Sequence, residues 1–194
     1  SFAEGSLVEP VAVGVHAATR TAMTGKTALV FGAGAIGLLV AQAAKAKGAR
    51  EVWIADIEQK HLDIAASLGL RPVNSKTDPQ LKALAGATVD VVFECVGHHD
   101  AILDAATRVV KRGGELVLLG SGHPKGLATG TIVSKQLTVI GSATTSMDEM
   151  REAIEQMVAG RIRVAPLISA RFPLAQMNAA FAASLGAQKV VIEP

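Results

Sequence analysis

The residues with the clearest chemistry are three glycines and an acid. Gly32, Gly34 and Gly37 form a G-x-G-x-x-G turn after the apolar run Ala28-Leu29-Val30-Phe31, and a helical pattern follows through Leu38, Leu39, Ala41, Gln42 and Lys45. In that context each glycine has a distinct use. Gly32 permits the tight turn, Gly34 admits a pyrophosphate close to the backbone, and Gly37 lets helix and strand pack together. The N–H groups of Ala35 and Ile36 open the helix unpaired, at its positive dipole end, where phosphates bind. Asp56 stands nineteen residues after Gly37, at the end of the run Glu51-Val52-Trp53-Ile54-Ala55. An acid there can accept hydrogen bonds from the adenosine ribose of a dinucleotide. The competing reading makes Asp56 a cap for the helix that follows.

Other reactive residue types give weaker signals. Glu9 precedes Pro10 at the start of a helix-like segment, where a carboxylate is usually a solvated cap, and His16 lies seven residues on. Cys95 is the only cysteine in the chain, so an internal disulfide and a cysteine-rich zinc site are both excluded. The net charge is +2 with no basic cluster, which gives no argument for nucleic acid or a membrane surface. The uncharged window from Thr27 to Ala44 is as long as a membrane span, but three central glycines and a β-type start argue against one. A cytoplasmic protein is expected, with no signal peptide or lipidation motif.

The elements that must position these residues read as alternating strands and helices. Strands are expected at 28–31, 51–56, 71–74, 89–97, 115–120 and 137–142, the fifth entered through a turn at Gly113-Gly114. Helices are expected after Pro10, over 58–68 with Gly69 as its stop, weakly over 78–85, over 101–110, and over 147–159 with Gly160 as its stop. This alternation implies right-handed βαβ units and an α/β doubly wound Rossmann sheet of six parallel strands in the order 3-2-1-4-5-6. Ligands then sit beyond the carboxyl ends of strands one and four. Past Arg161 the pattern changes to an extended stretch over 166–172, a helix over 174–184 and a last strand at Lys189-Val190-Val191-Ile192, outside the six-strand series.

Over essentially its whole length the sequence resembles the medium-chain, zinc-type alcohol dehydrogenase family, in particular its sorbitol and polyol branch. The residues that carry the resemblance are Leu7-Val8-Glu9-Pro10, Val13-Gly14-Val15-His16-Ala17, the glycine turn, Asp56, Glu94-Cys95-Val96-Gly97, Gly113-Gly114 and Lys189-Val190-Val191-Ile192. The chain resembles the second half of such proteins. The resemblance implies a connecting segment over 1–22, an NAD-binding unit over 23–160, and a segment over 161–194 that returns toward a catalytic domain.

It also implies site roles. In polyol-type relatives the Glu before Pro lies at the catalytic zinc, as a ligand or bonded to its water, and Glu9 matches it. Ordinary alcohol dehydrogenases have a Cys ligand there. Lys189 matches a basic residue near the cofactor pyrophosphate. Val96, Gly97, Gly120, Ser121, Ala143 and Thr144 fall where relatives line the nicotinamide and its ribose. His61 replaces a Lys or Arg found near the adenosine in many relatives, so an imidazole stands in for a fixed cation. The remaining zinc ligands, and the four-cysteine lobe many relatives carry, are expected before Ser1.

The implied activity is hydride transfer between a secondary alcohol or polyol and NAD, with this chain alone inactive in catalysis. A zinc-independent quinone reductase and a non-catalytic nucleotide sensor are the competing readings. Glu9-Pro10 weighs against the first, and the segment after Arg161 weighs against the second. The apolar stretch Leu137 to Ser142 is expected at a sheet edge, which relatives pair across a two-fold axis into a homodimer.

Overall fold

The computed structural model describes residues 1–78, 81, 84, 89–97, 100–120, 122, 126 and 128–194. The expected helix over 78–85 lies mainly outside the described residues, as does Ser121.

Six parallel strands form the main sheet: β1 (Thr27–Phe31), β2 (Glu51–Asp56), β3 (Arg71–Asn74), β4 (Val89–Glu94), β5 (Val110–Leu118) and β6 (Thr138–Gly141), ordered β3-β2-β1-β4-β5-β6. The expected order is therefore observed. β1 is central and buried along its whole length. Ala28 and Val30 face one core, shared with Val11, Leu38, Leu39, Ile54 and Phe93. Leu29 and Phe31 face the other, shared with Val92, Leu103, Ala106 and Leu116. A strand covered on both faces has no polar face to alternate with, which is why its sequence is continuously apolar.

Four helices cover the first core or the neighbouring sheet edge: α1 (Phe2–Gly5), α2 (Val8–Thr19), α3 (Ala35–Ala46) and α4 (Gln59–Ser67). α2 lies hard against α3, where an ideal Cβ on Gly14 would stand 2.9 Å from the Leu39 carbonyl carbon. The opposite face carries α5 (Asp100–Val109), and α6 (Thr129–Lys135) leads into β6. α7 (Met147–Val158) returns to α2, with a Ser146–Glu149 capping box at its start.

The sequence pattern misses α6. Its residues Thr-Gly-Thr-Ile-Val-Ser-Lys include β-branched side chains and a glycine, which are poor helix formers, and it buries none of them. Tertiary bonds support it: Arg112 Nη1 donates to the Ser134 carbonyl at 2.6 Å, and Lys135 Nζ donates to the carbonyls of Thr107, Arg108 and Val110 at the end of α5.

β5 also starts earlier than the sequence suggests. Val110 pairs with Val89 and Glu115 pairs with Val91, so the intervening residues bulge out of the ladder. Gly113 has φ +69, and an ideal Cβ on Gly114 would come 2.8 Å from the Asp90 carbonyl oxygen. The glycine pair makes a bulge within a strand, not a turn before it.

The last residues form a separate two-stranded parallel sheet, β7 (Ile168–Pro173) with β8 (Lys189–Glu193), joined through α8 (Met177–Ser184). Leu167 and Val191 reach into the first core.

Candidate cofactor site

The glycine turn runs from the end of β1 into α3. Gly32 has φ +94, and an ideal Cβ there would meet Val96 Cγ2 at 2.8 Å, so the turn backs directly onto the end of β4. Gly37 is tighter still: its Cβ would fall 1.8 Å from the Gly32 carbonyl oxygen. Gly34 has no neighbour within 4 Å of its Cβ position. It is the N-cap of α3, with no side-chain cap, so the N–H groups of Ala35, Ile36 and Gly37 in the first turn have no intrahelical acceptor. Open space beside a helix start with free N–H groups is what a pyrophosphate requires.

Asp56 closes one side of this turn. Its Oδ2 accepts from the Ala33 N–H at 2.6 Å, and its Oδ1 accepts from Ile57 and Glu58 at 2.7 and 2.9 Å. The helix-cap reading does not hold, because α4 has Glu58 as its N-cap and no side-chain capping bond. The carboxylate instead ties the β2 end to the glycine turn, leaving part of its acceptor capacity for a ribose hydroxyl. His61, in the first turn of α4, brings Nδ1 to 3.5 Å from Asp56 Oδ2, and that buried nitrogen has no hydrogen-bond partner among the described residues.

Between the ends of β1, β2 and β4 lies a cleft of about 430 Å³. Ile57, Leu81, Val96 and Ile102 give it apolar walls, and Asp56 stands among its lining residues. An apolar slot beside a carboxylate suits a flat base joined to a vicinal diol. A larger groove of about 610 Å³, lined by Val8, Met157, Val158 and Pro166, lies away from the glycine turn.

The turns after β4 and β5 touch. An ideal Cβ on Gly120 would be 2.3 Å from Gly97 Cα and 2.5 Å from Glu94 Oε2, so the turn after β5 leaves no room for a methyl there. Gly97 has φ +75. Glu94, a buried carboxylate, holds the first turn from within: its Oε1 accepts from the N–H groups of Val96 and Gly97 at 2.7 and 2.9 Å. This role is not visible in the sequence, where Glu94 is only part of a motif. Desolvation, with a further push from Glu94, raises the Cys95 thiol above its ordinary range.

Ala143 and Thr144 follow the β6 end, both exposed, and Thr144 adopts φ +62, an uncommon conformation for a β-branched residue. Val96, Gly97, Gly120, Ala143 and Thr144 all lie past the carboxyl ends of strands, β4 and β5 ending earlier, at Glu94 and Leu118, than the sequence suggests.

Lys189 opens β8. Its neighbour Gln188 donates from Nε2 to the Ala33 carbonyl at 2.8 Å, which brings the C-terminal segment to the glycine turn. Sequence reasoning misses Gln188, since no local signal marks a bond across that separation.

Glu9 and His16 are not brought to this site by any bond. Glu9 is exposed in the first turn of α2, without an ion-pair or hydrogen-bond partner among the described residues. His16 pairs instead with α7, its Nδ1 2.7 Å from Glu149 Oε1. Among the described residues no group of three or more His, Cys, Asp or Glu side chains could hold a metal ion. A zinc site therefore does not fit these residues alone. Also among the described residues, no helix is long and apolar enough to cross a membrane.

Comparison with known proteins agrees with this geometry. Residues 35–159 match the family model described as zinc-binding dehydrogenase. Sorbitol dehydrogenase 1 of Saccharomyces cerevisiae is 34% identical over 185 residues, covering 89% of this chain and 52% of the yeast protein. The structure of L-idonate 5-dehydrogenase from Escherichia coli superposes with a TM-score of 0.87 at 30% identity, over 96% of this chain and 56% of that one. A chain from Sinorhizobium meliloti solved with NADP bound gives 0.85 at 28% identity, over 98% of this chain and 59% of that one. The chain spans about half the length of the curated relatives it matches. With its six-stranded Rossmann sheet and this match over most of its length, the chain belongs to the zinc-binding dehydrogenase family.

Proposed function

We propose that this chain is the NAD(H)-binding part of a zinc-dependent alcohol or polyol dehydrogenase, and that the longer protein transfers hydride between a secondary alcohol or polyol and NAD in the cytoplasm. The observation that carries the reading is the empty space at Gly34, flanked by free helix N–H groups and by Asp56 bonded to the neighbouring Ala33.

The residues present fit a dinucleotide. Adenine takes the part of the apolar cleft beside Ile57 and Ile102, Asp56 takes the ribose, the first turn of α3 takes the pyrophosphate with Lys189 nearby, and Val96, at the inner wall of that cleft, leads with Gly97, Gly120, Ala143 and Thr144 to the nicotinamide end. Bound there, the cofactor supplies a hydride acceptor or donor. Glu9 would join a zinc site, as a ligand or through its bound water, whose other ligands lie outside this chain, with residues 1–22 and 161–194 linking the 23–160 unit to them. No proton or metal step is assigned to residues of this chain.

Asp56 sets the choice of cofactor. A carboxylate beside the ribose repels a 2′-phosphate, and no Arg follows it nearby to compensate, although Lys60 and His61 are near in sequence. Titrating NADH and NADPH against the chain tests this by fluorescence. NADH is expected to bind at least about tenfold more tightly, the effect of one unfavourable charge contact. Tighter binding of NADPH, whose 2′-phosphate is shared by the NADP bound in the Sinorhizobium relative, would overturn the role given to Asp56.

A further inference from the structure

The C-terminal strand pair meets the nucleotide unit at two points far apart in sequence. Gln188 Nε2 donates to the Ala33 carbonyl at 2.8 Å, and Lys60 Nζ donates to the Gly186 carbonyl at 2.9 Å. Ala33 sits between Gly32 and Gly34, and its N–H already donates to Asp56. A single residue of the glycine turn is thus held at its N–H by the ribose acid and at its carbonyl by the C-terminal segment.

The Gln188 end is equally fixed. Its backbone N–H donates to Ser169 Oγ at 3.1 Å, tying it to β7. Gly186, with φ +79, turns the chain just before it. Lys189 comes next, half-buried, in register with Ile168, and without an ion-pair partner among the described residues.

A lysine ammonium is a point charge on a flexible stem and lacks the fork that orients an arginine on phosphate. Its value to a pyrophosphate therefore depends on where the backbone holds it. We propose that Gln188 is a positioning residue for pyrophosphate recognition: its bond to Ala33 sets the Lys189 backbone, one residue away, beside the glycine turn. Lys60 secures the same loop from the helix that follows the ribose acid. The C-terminal segment then supplies part of the phosphate site, and the ligands it favours are nucleoside pyrophosphates. This rests on the proposed reading of Lys189 as the cation near the pyrophosphate.

The test compares Gln188→Ala, Lys189→Ala and the double variant, titrated with NADH and ADP-ribose by calorimetry and with adenosine by NMR. Lys189→Ala is expected to weaken both pyrophosphate ligands about tenfold, the scale of one charge-assisted contact, and to spare adenosine. Gln188→Ala is expected to weaken the same two about threefold to tenfold, to spare adenosine, and to add little once Lys189 is gone. An equal loss of adenosine binding in Gln188→Ala would show that Gln188 only maintains the shape of the turn, and would overturn the proposal. So would additive losses in the double variant. If Lys189→Ala weakens NADH and Gln188→Ala does not, the positioning role falls while the Lys189 reading stands. If Lys189→Ala changes nothing, the Lys189 reading itself falls, and the proposal with it. Lys60→Ala, on the opposite side of the loop, provides a second variant if Gln188→Ala fails to fold, and it should reproduce the pyrophosphate-selective loss; a loss shared with adenosine would count against the proposal.

Discussion

Gly34 and Gly37 lack a side chain for opposite reasons, and substitution separates them. At Gly37 a methyl would lie 1.8 Å from the Gly32 carbonyl oxygen, a backbone atom that can yield only if the strand–helix junction moves. Gly37→Ala should therefore destabilise the fold by about 3 kcal/mol or more. That lowers the melting temperature by roughly 6–12 °C for a chain of this size. At Gly34 nothing in the protein opposes a methyl, and the backbone, at φ −67 and ψ 177, is one that any residue adopts. Gly34→Ala should leave the melting temperature within a degree or two, at a cost of about 0.5 kcal/mol or less. Its affinity for NADH should nevertheless fall about tenfold or more, because the methyl occupies the phosphate's approach. Unchanged NADH binding in that variant would mean the phosphates lie elsewhere. Both glycines are legible in the sequence as a motif. The difference between them is not, because it depends on which atoms fold back toward each Cα.

At the scale of elements, α2 and α7 are joined by a polar contact that no local pattern announces. Glu149 Oε1 lies 2.7 Å from His16 Nδ1, Thr19 and Thr145 add weaker contacts, and Glu149 Oε2 accepts from the Ser146 N–H at 2.7 Å. Since an ionised carboxylate only accepts, His16 must carry its proton on Nδ1. Burial opposes the charge on Glu149, but the Ser146 N–H and His16 outweigh it and hold the carboxyl down at about 2, against an ordinary 4.5. A folded-state value below the unfolded one means the stabilisation is complete above pH 4.5 and is lost as pH falls toward 2. Glu149→Gln should therefore cost about 1–2 kcal/mol at pH 6, and the gap between variant and wild type should close between pH 4.5 and 2. Denaturant titrations at several pH values measure this; a gap that does not change with pH would remove Glu149 as its source. The sequence shows both helices, because their patterns depend on residues three or four apart, and the Ser146–Glu149 cap is equally local. The pairing of His16 with Glu149 spans 133 residues and depends on how the helices pack. The same distinction explains β5 and α6. The Gly113-Gly114 pair signals a break without saying that Val110 rejoins the ladder, and α6 is held by its own Lys135 reaching distant carbonyls and by Arg112 from outside it.

At the scale of the whole molecule, the sheet ends in an uncovered strand. Thr138, Val139 and Gly141 of β6 are exposed, with Ile140 half-buried, and among the described residues β6 pairs with β5 alone. An apolar edge without proline invites pairing. We expect a homodimer that joins two β6 edges, seen as twice the chain mass by light scattering at micromolar concentration, and Val139→Lys should shift it to the single mass while preserving the fold. A wild-type chain that stays at the single mass would count against it. Strand order also dictates a sequence of events during synthesis. β1 is emerging when β2 follows it closely, yet its other neighbour is β4, with Ala28 opposite Val91. Until the ribosome has released that later strand, Leu29 and Phe31 lack their full covering, and Gly32 lacks the Val96 side chain behind it. Closing so long a loop is entropically costly and slow compared with local pairing. The nascent chain thus carries its nucleotide turn half-built, with one apolar strand face open to chaperones or to other nascent chains, until residues past 96 have left the exit tunnel.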